Sequence, residues 1–256
     1  MVRTPLHRAE NLRLRAGIAH GFTTRAGGVS EGRWGSLNLA ARPGQPETAL
    51  VRNWERALDA LHPSFGAGDV AVMHQVHGAG VVEVTKPAGV LRVVGEADAS
   101  FTREPGVVLA VRTADCVPVL LAGRGAVAVI HAGWRGIVAG VVDALLVALA
   151  EEPVSLTAAV GPCISGPAYE VGDEVVDGLL AAGVPAEAWS VDPSVASSNK
   201  PHVDLGAAVR HQLLAAGVSD VHRVERCTFS EPELHSWRRD GAASGRQAGL
   251  IAMVAP

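Results

Sequence analysis

Three histidines, a cysteine and an aspartate stand where apolar, strand-like runs stop. His74-Gln75-Val76-His77-Gly78 follows one run, Thr113-Ala114-Asp115-Cys116 lies between two, and His131 closes a third. Polar groups at the ends of buried strands are a common way for a sheet to build a site. Zinc takes imidazole nitrogen and thiolate sulfur, and a catalytic zinc keeps three protein ligands and one open position. His77, Cys116 and His131 would supply such a set. Their gaps of 39 and 15 residues are unlike the close ligand pairs of a zinc finger and suit a site gathered from several strands. The same residues also fit covalent chemistry, with a Cys116 thiolate, His131 as its base and Asp115 or another polar residue orienting the imidazole. Each residue has an ordinary alternative: a hydrogen-bonded histidine, a cysteine packed as a small hydrophobe, or an aspartate satisfied by turn amides. Asp115 has apolar neighbours, where an unpaired carboxylate is costly to bury.

Copper is a third possibility. A blue-copper site joins two His and one Cys to a weak axial Met. The only methionines are Met1, Met73 and Met253, and no His-x-His pair of the multicopper kind occurs among the ten histidines. His7, His62 and His222 lie in plain polar contexts.

Two segments could hold an anion. Arg25 leads into Gly27-Gly28, whose amides could form a nest. His131 to Gly136 joins a strand to a helix and brings Arg135 to that junction. The first also reads as a tight turn, and Trp134-Arg135 as a cap. Arg238, Arg239, Asp240 and Arg246, set among Gly241 and Gly245, read as a solvated charged loop. Cys163 and Cys227 read as structural. Tyr169 and Glu170 precede a helix and could cap it or line a cleft.

These residues need a frame. Alternation and β-branched runs predict strands over Ile18–Thr24, Val70–Val76, Val81–Thr85, Val107–Arg112, Val117–Leu121, Ala126–Ile130, Leu156–Val160, Val221–Phe229 and Leu250–Val254. Helical spacing predicts helices over Glu47–Leu61, Ile137–Leu149, Asp173–Ala182 and Leu205–Ala216. The strands do not alternate regularly with helices, so mixed or antiparallel sheets covered by helices are favoured over a doubly wound parallel sheet. Pro193–Pro201 reads as a polar loop, and no linker divides the chain, so residues 1–256 are read as one domain.

Composition narrows the function classes. The 256 residues are 48% hydrophobic and 19% charged, with a net charge of −4. That is a globular balance with no basic surplus for nucleic acid. Three cysteines do not make a disulfide framework. Met1 to Glu10 lacks the apolar core of a signal peptide. The longest apolar run, Ile137 to Ala150, contains Asp143 and is too short to span a bilayer. These features predict a cytoplasmic protein without membrane partners.

Eight segments occur in order along almost the whole chain: GFTTRAGGVS (Gly21–Ser30), SLNL (Ser36–Leu39), HQVHG (His74–Gly78), EADAS (Glu96–Ser100), RTADCVPVLL (Arg112–Leu121), AVIHAGWRG (Ala128–Gly136), GPCISGPAYEVGDEV (Gly161–Val175) and SWRRDGAASGRQ (Ser236–Gln247). As a set they resemble the YfiH/YlmD-like laccase-domain family, also called the multicopper polyphenol oxidase or purine nucleoside phosphorylase family. The family usually has Tyr where this chain has Trp237.

The resemblance implies an α+β (mixed α/β) fold, a four-layer α/β/β/α sandwich of mixed sheets like that of certain toxin deamidases. It implies a metal, most often zinc and alternatively copper, at His77, Cys116 and His131. It implies cleavage of adenosine, inosine and methylthioadenosine by phosphate to the base and a ribose 1-phosphate, with adenosine deamination beside it. In that chemistry Arg25, Asn38 and Arg135 are candidates for phosphate or ribose, and Cys116, Asp115 and His74 for the chemical step. The partners are then a purine nucleoside and phosphate, and the chain a monomer or small homo-oligomer. Three rivals stay open: a copper polyphenol oxidase, a metal-free cysteine hydrolase built on Cys116 and His131 (some relatives are called peptidoglycan editing factors), and a non-catalytic binding protein.

Overall fold

Two six-stranded mixed sheets lie face to face with helices on both outer sides. This is a computed structural model, and it describes residues 4–85, 90–192, 194, 198 and 200–254. Strands are numbered along the chain. The first sheet runs β1 (Leu6–His7), β2 (Ile18–Thr23), β12 (Gln247–Met253), β7 (Val108–Thr113), β3 (Val70–His74), β5 (Arg92–Glu96). The second runs β11 (Asp220–Arg223), β10 (Thr157–Val160), β8 (Val117–Ala122), β9 (Val127–Ala132), β6 (Ala99–Thr102), β4 (Val81–Glu83). β3 pairs parallel with β5 and β7, β4 with β6, and β10 with β11; the remaining pairs are antiparallel.

Every residue of β8 and β9 is buried. A strand covered on both faces reads as an unbroken apolar run, as these do. One face meets the first sheet: Leu120, Val127 and Val129 pack with Phe22, Met73, Leu109 and Ile251. The other face meets α3 (Trp134–Val138), α4 (Val141–Leu149), α5 (Asp173–Ala181) and α6 (Leu205–Ala215), through Val119, Leu121 and Ile130 against Ile137, Leu145, Leu179 and Val209. The outer face of the first sheet is covered by α2 (Glu47–Leu61), whose Trp54, Leu58 and Leu61 lie on Val72, Ala110 and Leu250. Short helices α1 (Glu10–Arg13) and α7 (Trp237–Asp240) sit at the margins. The expected four-layer α/β/β/α sandwich is the observed architecture.

Local departures have local causes. The helix expected over Ile137–Leu149 is two helices, because Gly140 turns the chain through φ +80°. That left-handed conformation suits glycine, and the apolar pattern on both sides hides the break. The strand expected over Val221–Phe229 is continuous only to Arg223, with one isolated bridge further on between Cys227 and Cys163. Beyond it the chain turns toward the site, with Thr228 hydrogen-bonded to Asp115. β5 and β6, unanticipated from the sequence, are five and four residues long. Of the polar 193–201 loop, residues 193, 195–197 and 199 lie outside the described residues. Among the described residues no helix is long and apolar enough to cross a membrane.

Candidate active site and metal centre

β7 leaves the first sheet at Thr113, and β8 joins the second at Val117. Only Ala114, Asp115 and Cys116 make the crossing. Asp115 takes φ +90°, a conformation costly for a non-glycine residue unless its surroundings enforce it. They do: one carboxylate oxygen accepts the Thr228 hydroxyl at 2.6 Å and the other the Arg238 amide at 2.6 Å. Its carbonyl accepts the Ile164 amide at 3.0 Å. Cys116 is thereby delivered, half-buried, to the floor of a cleft of about 680 Å³.

His131, the penultimate residue of β9, reaches the same floor from the second sheet, and His77 comes from the loop after β3. The three side chains bring one donor atom each to within 4.8 Å of one another. Cys116 Sγ lies 3.8 Å from His77 Nε2, and the two imidazoles meet edge to face with centroids 4.8 Å apart.

One carboxylate holds this arrangement. Asp98 is completely buried just before β6. One of its oxygens accepts His131 Nδ1–H at 2.7 Å and the His77 amide at 3.0 Å. The other accepts the amides of Val76 at 3.1 Å and Gly78 at 2.7 Å. Burial opposes ionisation of Asp98, but these hydrogen bonds outweigh it and hold the carboxyl below its usual range. Asp98 therefore orients His131 with Nε2 as the remaining ligand atom, and clamps the turn in which His77 sits at φ +62°. Burial also opposes charge on Cys116 and His131. Their mutual attraction wins, with His77 aiding the cysteine and Asp98 the histidine: Cys116 falls to about 6 and His131 rises to about 9. Gly133 leaves the room they need, since a Cβ there would lie 2.9 Å from His77 Cδ2 and 3.1 Å from Cys116 Sγ.

The donor set suits zinc. Tetrahedral zinc with nitrogen at about 2.0 Å and sulfur at about 2.3 Å spaces its donors roughly 3.3–3.6 Å apart. The 3.8 Å between Sγ and Nε2 is close to that. Two imidazoles, one thiolate-prone cysteine and a carboxylate behind one histidine are the usual parts of such a centre. No other group of three or more potential ligands occurs among the described residues. Among the described residues no methionine lines the cleft, so none of them offers the axial ligand of a blue-copper site.

The remaining walls are basic and aromatic. Arg42, Arg112, Arg135, Arg238 and Arg246 line the cleft with Trp134, Tyr169 and Trp237. Arg135 stacks on Trp134 at 4.4 Å, Arg238 on Tyr169 at 4.9 Å and Arg246 on Trp237 at 5.4 Å. Gln75 pairs with the backbone of Arg112 through both amide atoms, at 2.8 and 2.9 Å, and so extends the β3–β7 ladder by side chain.

His74, Asp115 and Arg135 thus join the donors around the cleft, but Arg25 and Asn38 do not line it. The Arg25 guanidinium is spent on the carbonyls of Gly35 and Arg33, both at 3.0 Å. The glycines after it form no open nest. The Gly28 amide is taken by Ser36 Oγ and the Val29 amide by Asn53, and a Cβ on Gly28 would strike the Ser36 backbone. Asn38 is fully buried; it donates to the Ala40 carbonyl at 2.8 Å and accepts the Arg246 amide at 2.9 Å. It positions a wall of the cleft rather than forming one.

Sequence reasoning missed Asp98, Arg42 and Arg112 as site residues. Asp98 had a signal, a lone carboxylate between Ala97 and Ala99 in the EADAS segment. The loop read as solvated folds inward instead: Arg238 and Arg246 face the cleft, while Arg239 ties down the carbonyls of Thr228 and Leu234.

Comparison with known proteins agrees with this architecture. Residues 19–254 match the family model described as multi-copper polyphenol oxidoreductase laccase. A Deinococcus radiodurans protein named purine nucleoside phosphorylase is 39% identical over 254 residues, covering 97% of this chain and 93% of that one. A Streptomyces griseus purine nucleoside phosphorylase is 42% identical, covering 92% and 94%. The crystal structure of YlmD from Geobacillus stearothermophilus superposes with a TM-score of 0.86 at 34% identity, covering 100% of this chain and 98% of that one. A mixed α/β sandwich with a His-Cys-His centre under a basic cleft defines the class. The chain belongs to the multi-copper polyphenol oxidoreductase laccase family, in its YfiH/YlmD-like branch.

Proposed function

We propose that this chain is a zinc-dependent purine nucleoside phosphorylase that accepts adenosine, inosine and methylthioadenosine and also deaminates adenosine. It works as one domain, in the cytoplasm, as a monomer or small homo-oligomer. The observation that carries this reading is the donor triad His77, Cys116 and His131, held by Asp98 on the floor of an arginine-lined cleft. The names of the relatives support the nucleoside and phosphate. In the reaction, a phosphate oxygen bonds to C1′ of the ribose as the C1′–N9 bond breaks. The electron pair leaves on the base, and the proton of hydrogen phosphate ends on it. In deamination, water adds at C6 and ammonia leaves.

The zinc would be held by His77, Cys116 and His131, where it supplies a Lewis acid with one open position. The chain's own groups do the rest. Tyr169 and Trp237 give flat faces for a purine. The arginines hold anionic oxygen, and His74, at the cleft wall, carries protons. Asp115 keeps Cys116 in place, because both its oxygens are already engaged.

Chromatographic assay of base release, with and without phosphate and before and after chelation, tests the proposal. Phosphate-dependent release that disappears with the metal is expected. No turnover of any purine nucleoside by zinc-loaded protein would sink it.

One observation favours a second reading. Asp98, His131 and Cys116 also have the order of an orienting carboxylate, a base and a nucleophile. A cysteine hydrolase of that kind, acting on a cell-wall precursor, would keep its activity after chelation; the phosphorylase would not.

A further inference from the structure

Arg42, Arg112 and Arg246 come from three distant parts of the chain and line the same cleft as the metal donors. Each is fixed by backbone carbonyls. Arg42 Nη2 donates to the Ser244 carbonyl at 2.8 Å, Arg112 Nη2 to the Met73 carbonyl at 2.9 Å and Arg246 Nη1 to the Gly245 carbonyl at 2.7 Å. None of the three makes an ion pair among the described residues. Asp115 lines the cleft, but Thr228 and the Arg238 amide occupy its oxygens. The Nε of Arg42 is buried without any partner. A guanidinium carries five donors, and a carbonyl or two leaves most of them unfilled. Partly buried like charges repel unless something neutralises them. Burial first, then Arg42 and Arg112, bring Arg246 down to about 10 against the pull of Cys116 and Asp115.

A protein that fixes three guanidiniums on carbonyls and gives them no carboxylate has built a place for an external anion. Guanidinium forks match the paired oxygens of a tetrahedral oxyanion. We infer that Arg42, Arg112 and Arg246 form the binding site for the attacking phosphate, with Asn38 and Gln75 as the positioning residues that aim them. The inference rests on the phosphorolytic reading given above, and it assigns the phosphate to this corner instead of to the Arg25-Gly27-Gly28 segment.

The test uses the full metal-loaded chain and two independent readouts. The first is calorimetric titration with inorganic phosphate in the absence of nucleoside. The second is the KM for phosphate and for inosine, measured separately. Arg42→Gln and Arg246→Gln should each weaken phosphate binding about tenfold or more, the scale of one charge-assisted contact. They should raise the phosphate KM in proportion and move the inosine KM far less. Arg246→Lys, which keeps the charge and loses the fork, should recover part of the loss. If the variants bind phosphate normally and keep its KM while wild type phosphorolyses, the assignment is wrong and the phosphorylase stands. If wild type binds phosphate through these arginines and cleaves no nucleoside, the anion site stands and the activity falls. A nucleoside monophosphate titrated in parallel identifies the source of the phosphate. Tighter arginine-dependent binding of that compound than of free phosphate would overturn the co-substrate role.

Discussion

The two corners of the cleft handle charge in opposite ways. At the donor corner, Asp98 answers His131 at 2.7 Å and gathers three amides, so charge is matched inside the protein. At the arginine corner, three cations rest on carbonyls and make no ion pair among the described residues. The first corner is a set of converging donor atoms that could hold a metal ion. The second leaves its charge unmatched by the protein, which is the ground for the anion site proposed above. Preorganised charge of this kind costs stability, which a bound ligand returns.

The hardest way to break the donor corner is Asp98→Asn. It puts a donor among three amides and the His131 N–H, so a buried network loses its only acceptor of charge. A loss of about 3–5 kcal/mol in denaturant unfolding is expected, with metal affinity down about 10–100-fold by competitive chelator titration. Unchanged metal affinity in a folded Asp98→Asn protein would separate Asp98 from the donors.

The frame under the arginine corner breaks in acid. His235 is fully buried, donates through Nε2 to the Leu37 carbonyl at 3.0 Å and packs beneath Gly245. Burial lowers its pKa to about 4, helped by Arg25 and Arg246 and opposed by Leu37 and Asp240. The unfolded histidine, near 6.5, takes up protons that the folded one refuses. Its contribution is therefore complete above about pH 6.5 and is lost as the pH falls toward 4, on the order of 2–3 kcal/mol. Unfolding midpoints measured from pH 7 to 4 should fall less steeply in a folded His235→Gln variant.

Gly133→Ala is a smaller intrusion into the donor corner. The new methyl would press on His77 and Cys116, costing about 1–3 kcal/mol. Metal content by elemental analysis should fall more than the melting temperature does.

The mildest change is Arg25→Ala, which strips two carbonyls of their donor. It should cost about 1 kcal/mol and shift the phosphate KM far less than Arg246→Gln. An equal shift would return phosphate to the Gly27-Gly28 segment.

The donor corner was legible because His77, Cys116 and His131 sit where apolar runs stop, and such stops are local features of sequence. Mixed sheets covered by helices were legible for a related reason, since β8 and β9 are apolar on both faces because each is covered on both; the count of four layers came from the family resemblance. Asp98 was harder to see, since its role comes from three amides and an imidazole that approach it only in space. The arginine corner was not legible at all. Residues 42, 112 and 246 have no shared spacing, and the last lies in a segment whose charges resemble a solvated loop. Arg25 misled for the converse reason. Its glycines look free for an anion, but Gly28 is glycine because the Ser36–Leu37 backbone lies against it. Gly140 shows the same limit, as the apolar pattern runs through it while the helix does not.

The position of Asp98 also has a mechanical side. It stands just before β6 in the second sheet, yet it grips the turn that follows β3 in the first. It is a rivet through two layers, and the Ala114–Cys116 crossing is a hinge pin beside it. Sliding one sheet over the other would move His77, which follows β3, against His131 on β9. An ion seated among donors drawn from both sheets would add a second fastening beside Asp98 and oppose that displacement.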